Sequence, residues 1–164
     1  MRVRPEAGGD EAGIGYVLTT AFAASRHGDN GEAGIVERLR ERGELAVSLV
    51  AEIEVAGIVG HIAFSPVAIA DGARDWFGLG PVAVLPAHRR AGIGAALIEA
   101  GIAQLRARGA AGCVVLGDPR FYARFGFLRD LALSFPGPPP SAFQRVAWSR
   151  SAPRGVVSYS PAFG

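Results

Sequence analysis

Hydrophobic and polar positions divide the chain into two helical stretches, a run of strands, one long helix and a mixed remainder. Residues 2–4 predict a short strand that Pro5 stops. After Asp10, apolar residues at Ile14, Val17, Leu18 and Phe22 recur every three or four positions. That is the spacing of an amphipathic helix with Asp10 as its N-cap, weakened by Gly13 and Gly15. SRHGDNG at 25–31 is a loop, and EAGIVERLRER at 32–42 resumes helical spacing until Gly43 closes it. From Leu45 the period shortens. LAVSLVAE and GIVGHIAFSPVAI read as strands joined by a turn at 54–57, and DGAR at 71–74 turns the chain into a third strand, WFGLGPVAV. A loop at 85–90 leads into a regular helix over 92–108, with Ile93, Leu97, Ile98, Ile102 and Leu105 on one side, stopped by Gly109 and Gly112. CVVL at 113–116 is a buried strand. Pro119 opens a short helix, PRFYARF, that Gly126 ends, and FQRVAW and GVVSY are strands beyond the GPPP loop. No repeat and no shift in composition marks a boundary, so residues 1–164 are expected to form a single α/β domain around a mixed sheet.

Composition narrows the function more than the fold. With 164 residues, 49% hydrophobic and 20% charged, the chain can bury a core and is not disordered. No apolar run is long enough to cross a membrane, and MRVRPEAGGD lacks the apolar centre of a leader, so a cytoplasmic protein is expected. One cysteine, Cys113, excludes an internal disulfide and a cysteine-based zinc cluster; it reads as a small buried apolar residue, and no metal is expected. All 17 basic residues are arginine. Without lysine there is neither a Walker A loop nor a pyridoxal Schiff base. The arginines are scattered and the net charge is only +2, so nucleic acid is not an expected partner.

The chemistry concentrates in VAVLPAHRRAGIGAALIEAGIAQLRARG, residues 82–109, where a strand runs into Arg89-x-x-Gly92-x-Gly94 and then a long helix. A helix start presents unpaired N–H groups and the positive end of its dipole, Gly92 and Gly94 let an anion approach, and Arg89 and Arg90 add charge. A dinucleotide fingerprint fits worse, because Leu97 stands where its third small residue belongs. Gly78-x-Gly80-x-x-Ala83 matches that fingerprint in letters but leads into a strand.

The Arg-x-x-Gly-x-Gly loop resembles the acetyl-coenzyme A signature of the GNAT superfamily of N-acetyltransferases, and Phe121-Tyr122-x-Arg124-x-Gly126-Phe127 resembles its second signature at the expected distance. GHIAFSPV, LGPVAVLP, VLGDPRFYARFGF and YSPAF are similar to the bacterial YhbS-like branch. The resemblance implies a GNAT fold: a mixed, mostly antiparallel central sheet, splayed at the cofactor slot and flanked by helices. It implies that backbone groups of Val82, Ala83 and Val84 pair with the pantetheine arm of acetyl-CoA and that one of their N–H groups holds the tetrahedral oxyanion. Backbone N–H groups from Arg89 through Arg90, Ala91, Gly92, Ile93, Gly94 and Ala95 would cradle the pyrophosphate, and Phe121 would line the channel. Tyr122 stands at the position of the general acid that protonates the departing thiolate. Asp118 replaces an asparagine that contacts pantetheine in many members, or caps the next helix. The strand before the motif, WFGLGP, lacks the glutamate base of several members, which leaves His61, Asp75, Glu52 or water. The implied reaction is acetyl transfer to a primary amine, small-molecule or peptide, by direct attack in a ternary complex. A non-catalytic acyl-CoA sensor and a transferase of longer acyl chains are the alternatives, and a homodimer is left open.

Overall fold

Strand-forming stretches from Val47 onward, with the N-terminal Arg2–Pro5 added at one edge, build a six-stranded sheet at the centre of the molecule. A computed structural model describes residues 1–164. In chain order the elements are β1 (Arg2–Pro5), α1 (Glu11–Ala23), α2 (Glu32–Glu41), β2 (Val47–Ile53), β3 (Gly57–Pro66), β4 (Ala68–Ile69), β5 (Trp76–Val84), α3 (Ile93–Ala107), β6 (Gly112–Leu116), α4 (Pro119–Tyr122), β7 (Leu133–Ser134), β8 (Phe143–Ala147) and β9 (Gly155–Ser158). The main sheet runs β1-β2-β3-β5-β6-β8, and β4-β9-β7 form a small second sheet. Only β5 and β6 run parallel in the main sheet; its other neighbours are antiparallel. No helix is long and apolar enough to cross a membrane.

Each face of the sheet is covered differently. On one face Leu97, Ile98 and Leu105 of α3 pack on Leu49, Ile62 and Phe64, burying a layer that extends to Cys113, Tyr122 and Phe127. On the other, Ile14, Val17, Leu18 and Val36 of α1 and α2 cover Val50, Ala63 and Ala83. Further along that second face the small sheet packs against Trp76, Val114 and Phe143. The C-terminal turn Pro161–Phe163 closes over Ile35 and Leu39 of α2.

The departures from the sequence pattern are local. Asp10 does not cap α1: its carboxylate accepts from Arg4 Nη1 and from the Ala7 amide, both at 2.7 Å. The strand GIVGHIAFSPVAI breaks at Val67, and Ala68–Ile69 joins the small sheet with β7, which carries too short an apolar run to be seen. Ile102 is only half-buried, while Gly101 takes a buried place because a Cβ there would come within 2.1 Å of Phe64 Cε1. Gly101→Ala is therefore expected to destabilise by about 1–3 kcal/mol, against the helix preference for alanine, because the core ring has nowhere to go. Urea unfolding midpoints measure it; an unchanged midpoint would show that the ring relaxes freely.

Candidate active site

The pairing of β5 explains how the sheet opens. Trp76, Phe77 and Gly78 pair with Gly112, Cys113 and Val114, and beyond that point β5 and β6 separate. Against β3 the register shifts: Leu79 faces Phe64 while Val82 faces Ile62, so Gly80 and Pro81 form a bulge. A bulge changes the parity of the strand. The Leu85 amide donates to Val59 O at 2.8 Å, which by antiparallel alternation turns the N–H and C=O of Ala83 toward His61. The backbone groups of Val82 and Val84 then point to the opened edge. Ala83, expected to pair with pantetheine, instead gives its backbone to β3 and its side chain to the α1 interface.

The loop after β5 forms a nest of donors. Arg90 adopts φ 63° and Gly92 φ 80°, and α3 starts directly after. The Arg89 amide is taken by Pro86 O at 3.4 Å, and the first helical bond is Ala96 N to Gly92 O at 3.0 Å. The six N–H groups from Arg90 to Ala95 are left without an acceptor, at the positive end of a 15-residue helix. These residues border a cleft of ≈ 480 Å³ that Val82, Ala83, Val84, Arg89, Arg90, Gly92, Ile93, Gly94, Ala95 and Phe121 all line. Ala91 is exposed beside the cleft and does not line it.

Two charged groups act otherwise than expected. The Arg89 guanidinium donates to Ala21 O at 3.0 Å and Val84 O at 3.4 Å, tying the end of α1 to the end of β5 rather than pointing into the nest. Asp118 caps α4, accepting from the Arg120 amide at 2.9 Å, and borders neither the cleft nor the neighbouring cavity. Pattern alone missed Ala21, Phe22, Ser25, His88 and Arg124, which also line the cleft; Arg124 stacks over Phe121 at 4.7 Å. Nothing near them in sequence marks the α1 residues, which reach the cleft only through tertiary packing.

A second cavity of ≈ 440 Å³ adjoins the first, sharing Phe22 and Val82 with it. It lies where α1 and α2 meet the C-terminal segments, and Tyr122 lines it together with Leu79, Gly80 and Pro81 of the bulge. So the opened edge of β5 leads from the donor nest, past Val82, to the cavity that Tyr122 lines. The Tyr122 side chain is wedged over Gly117, where a Cβ would meet its ring at 2.4 Å. Burial, with a smaller contribution from Cys113, pushes its phenol up to about 12.

These features coincide with independent similarities. Residues 44–129 match the family model described as an acetyltransferase (GNAT) domain. The chain is 36% identical over 161 residues to the uncharacterized N-acetyltransferase YhbS of Escherichia coli (strain K12), covering 96% of this chain and 93% of that one. This chain belongs to the GNAT acetyltransferases. A GNAT family acetyltransferase from Brucella melitensis, solved in complex with acetyl-CoA, superposes with a TM-score of 0.87 at 43% identity over 99% of this chain and 97% of that one. YhbS from Escherichia coli, solved in complex with CoA, gives 0.89 at 34% identity over 99% and 91%. This GNAT protein is thus an acyltransferase, and its mostly antiparallel sheet with the β5–β6 opening is the family's fold.

The three side chains weighed as a base all lie away from the opened edge. Glu52 pairs with Arg4 at 3.1 Å on the β1–β2 edge, and Asp75 sits in the turn before β5. His61 is fully buried beneath α1 and α2, its Nε2 2.8 Å from Ser48 Oγ. Ser48 in turn donates to Glu6 Oε1 at 2.7 Å, and Glu6 pairs with Arg40 at 2.9 Å. Nε2 therefore carries the proton toward Ser48, and Nδ1 is bare and unpartnered. Burial lowers the imidazole from 6.5 to about 4, so it stays neutral. As pH falls below 6.5 the unfolded histidine takes a proton that the folded one refuses, and stability drops until about pH 4. From pH 7 to 5 this loss is about 2 kcal/mol. His61→Gln keeps a donor for Ser48 and should remove most of that slope in urea unfolding series at the two pH values. An unaltered slope would assign the pH dependence to other groups.

Proposed function

We propose that this GNAT protein transfers the acetyl group of acetyl-CoA to a primary amine by direct attack in a ternary complex, with residues 1–164 acting as one domain. The observation that carries the reading is the continuous opened edge of β5, which joins the donor nest to the cavity holding Tyr122. The Arg90–Ala95 amides suit a pyrophosphate, and the free N–H and C=O groups of Val82 and Val84 suit the amides of a pantetheine arm. Val82 stands in both cavities, so its N–H is the donor best placed to hold the oxyanion that forms as the amine attacks. As the C–S bond breaks, Tyr122 passes its proton to the departing sulfur, and the nitrogen gives up a proton, directly or through water, that restores the phenol. The complexes of the Brucella melitensis and Escherichia coli proteins with acetyl-CoA and CoA support the same donor here. The two residues that the cavities share, Phe22 and Val82, carry no nucleophile, and Cys113 is fully buried with its thiol pushed far above the ordinary range, which favours transfer without an acyl-enzyme.

The test is thiol release from acetyl-CoA across a panel of amines, with binding measured separately by calorimetry. Amine-dependent release above hydrolysis is the expected result. Tight binding with no amine-dependent release for any class would overturn transfer and mark a non-catalytic acyl-CoA sensor instead.

A further inference from the structure

The cavity beyond the opened edge has a chemistry that specifies more than a primary amine. Its walls are aromatic and aliphatic: Phe22 from α1, Ile35 from α2, Phe135, Tyr159 and Phe163 from the C-terminal segments, together with the bulge of β5. One charged side chain, Glu32, reaches it, from the first turn of α2. Glu32 Oε2 accepts from the Asn30 amide at 2.9 Å, which fixes the carboxylate against the loop, while Oε1 has no partner in the chain. No arginine or histidine borders the cavity. Tyr159 adds a buried hydroxyl without a hydrogen-bond partner, stacked edge-on against Phe135 and Phe163.

Resting on the acetyl-transfer reading, we infer that the acceptor is a monoamine bearing an aryl or bulky alkyl group and no carboxylate, with Glu32 as the residue that receives its ammonium before the nitrogen gives up a proton to water and attacks as the neutral amine. The geometry gives each part of such a molecule a place. The apolar group is buried among aromatic walls, and the cation meets the single carboxylate. A carboxylate on the acceptor would be desolvated with no cation to meet it and would face Glu32. A triamine such as spermidine, with one nitrogen neutral for attack and one paired with Glu32, would still bring a further ammonium into walls with no second anion. Both are disfavoured by the same absence of a compensating charge.

The experiment compares 2-phenylethylamine, phenylalanine and spermidine as acceptors for the full chain, with acetyl-CoA affinity measured in parallel. The kcat/KM for 2-phenylethylamine is expected to exceed the other two at least tenfold, on the order of one unmatched charge. Glu32→Gln should raise its KM by about 10–100-fold, the scale of a hydrogen bond to a charged group, with kcat within about threefold and acetyl-CoA affinity unchanged. Glu32→Asp, which keeps the charge, should recover part of that KM; equal loss in both variants would mark Glu32 as only a loop support. Preference for spermidine or phenylalanine, or an unmoved KM in Glu32→Gln, overturns this inference and leaves acetyl transfer standing. Absence of acetyl-CoA binding, or of turnover with every amine, overturns the acetyl-transfer reading itself and this inference with it.

Discussion

Tyr122→Phe is expected to lower acetyl transfer by roughly 10²–10⁴-fold, the usual contribution of a positioned proton donor. The ring packs edge-on against Phe121 and Phe127 at 5.0 and 5.8 Å, contacts that phenylalanine retains, so folding and acetyl-CoA affinity should hold. The raised phenol bears on how the acid works. Against an ordinary thiol near 8.5, a phenol at about 12 would transfer its proton uphill by about 5 kcal/mol. The same exclusion of water acts on a thiolate leaving in this slot. Cys113, sealed just beneath, shows the direction, since burial drives its thiol far upward. Donor and acceptor rise together, and the gap narrows. A second consequence concerns pH. A phenol at about 12 is fully protonated through pH 10, so no falling limb due to Tyr122 belongs inside pH 6–10. The rate there should instead climb with the fraction of neutral amine. The measurement is kcat at saturating acetyl-CoA across that window for both proteins; a phenylalanine variant within about twofold of the parent throughout would return Tyr122 to a packing role.

The other large effect belongs to the donor nest. Gly94→Val should weaken acetyl-CoA binding by at least ~100-fold, as the loss of two charge-assisted hydrogen bonds would. The position separates binding from folding. A Cβ on Gly94 meets nothing nearer than Val84 Cγ2 at 3.9 Å, so the protein itself accepts a side chain there. The branched group would stand in the cleft that Gly94 lines, over amides with no other acceptor. Gly92 is a poorer test, because its φ of 80° would strain any replacement and confound affinity with stability. Calorimetric titration with acetyl-CoA, alongside a thermal melt of each protein, decides it. Parental affinity in a folded valine variant would remove the loop from the binding site.

Much of the site was legible because part of it is local. A helix start has free amides whatever it packs on, so the spacing over Arg89–Ala95 was enough to expect a row of free donors there; the structure leaves Arg90–Ala95 free, while the Arg89 amide bonds Pro86 O and its side chain turns to Ala21 and Val84. Tyr122 was singled out because Phe121–Phe127 resembles the family's second signature, not by any local pattern of its own. The strand WFGLGPVAV was bounded correctly at both ends by the preceding turn and the loop at Leu85.

What local pattern determined, then, is the order of the longer elements and the helix start with its free amides, since backbone dihedrals and helix ends are set by near neighbours; the tyrosine entered through the resemblance to a family signature. Tertiary structure decided which of these groups face one another. The bulge at Gly80–Pro81 appears only in the register against β3, and it alone turns Val82 and Val84, not Ala83, to the opened edge. His61 could be weighed as a base until the packing of α1 and α2 enclosed it with Ser48 and Glu6. Glu32 passed as one more acidic residue at a helix start until the C-terminal aromatics closed around it. Phe135, Tyr159 and Phe163 lie more than a hundred residues from Glu32 along the chain, and no periodicity carries across that interval. The desolvation that raises the Tyr122 phenol is a property of the assembled walls, so it arises only when those walls meet.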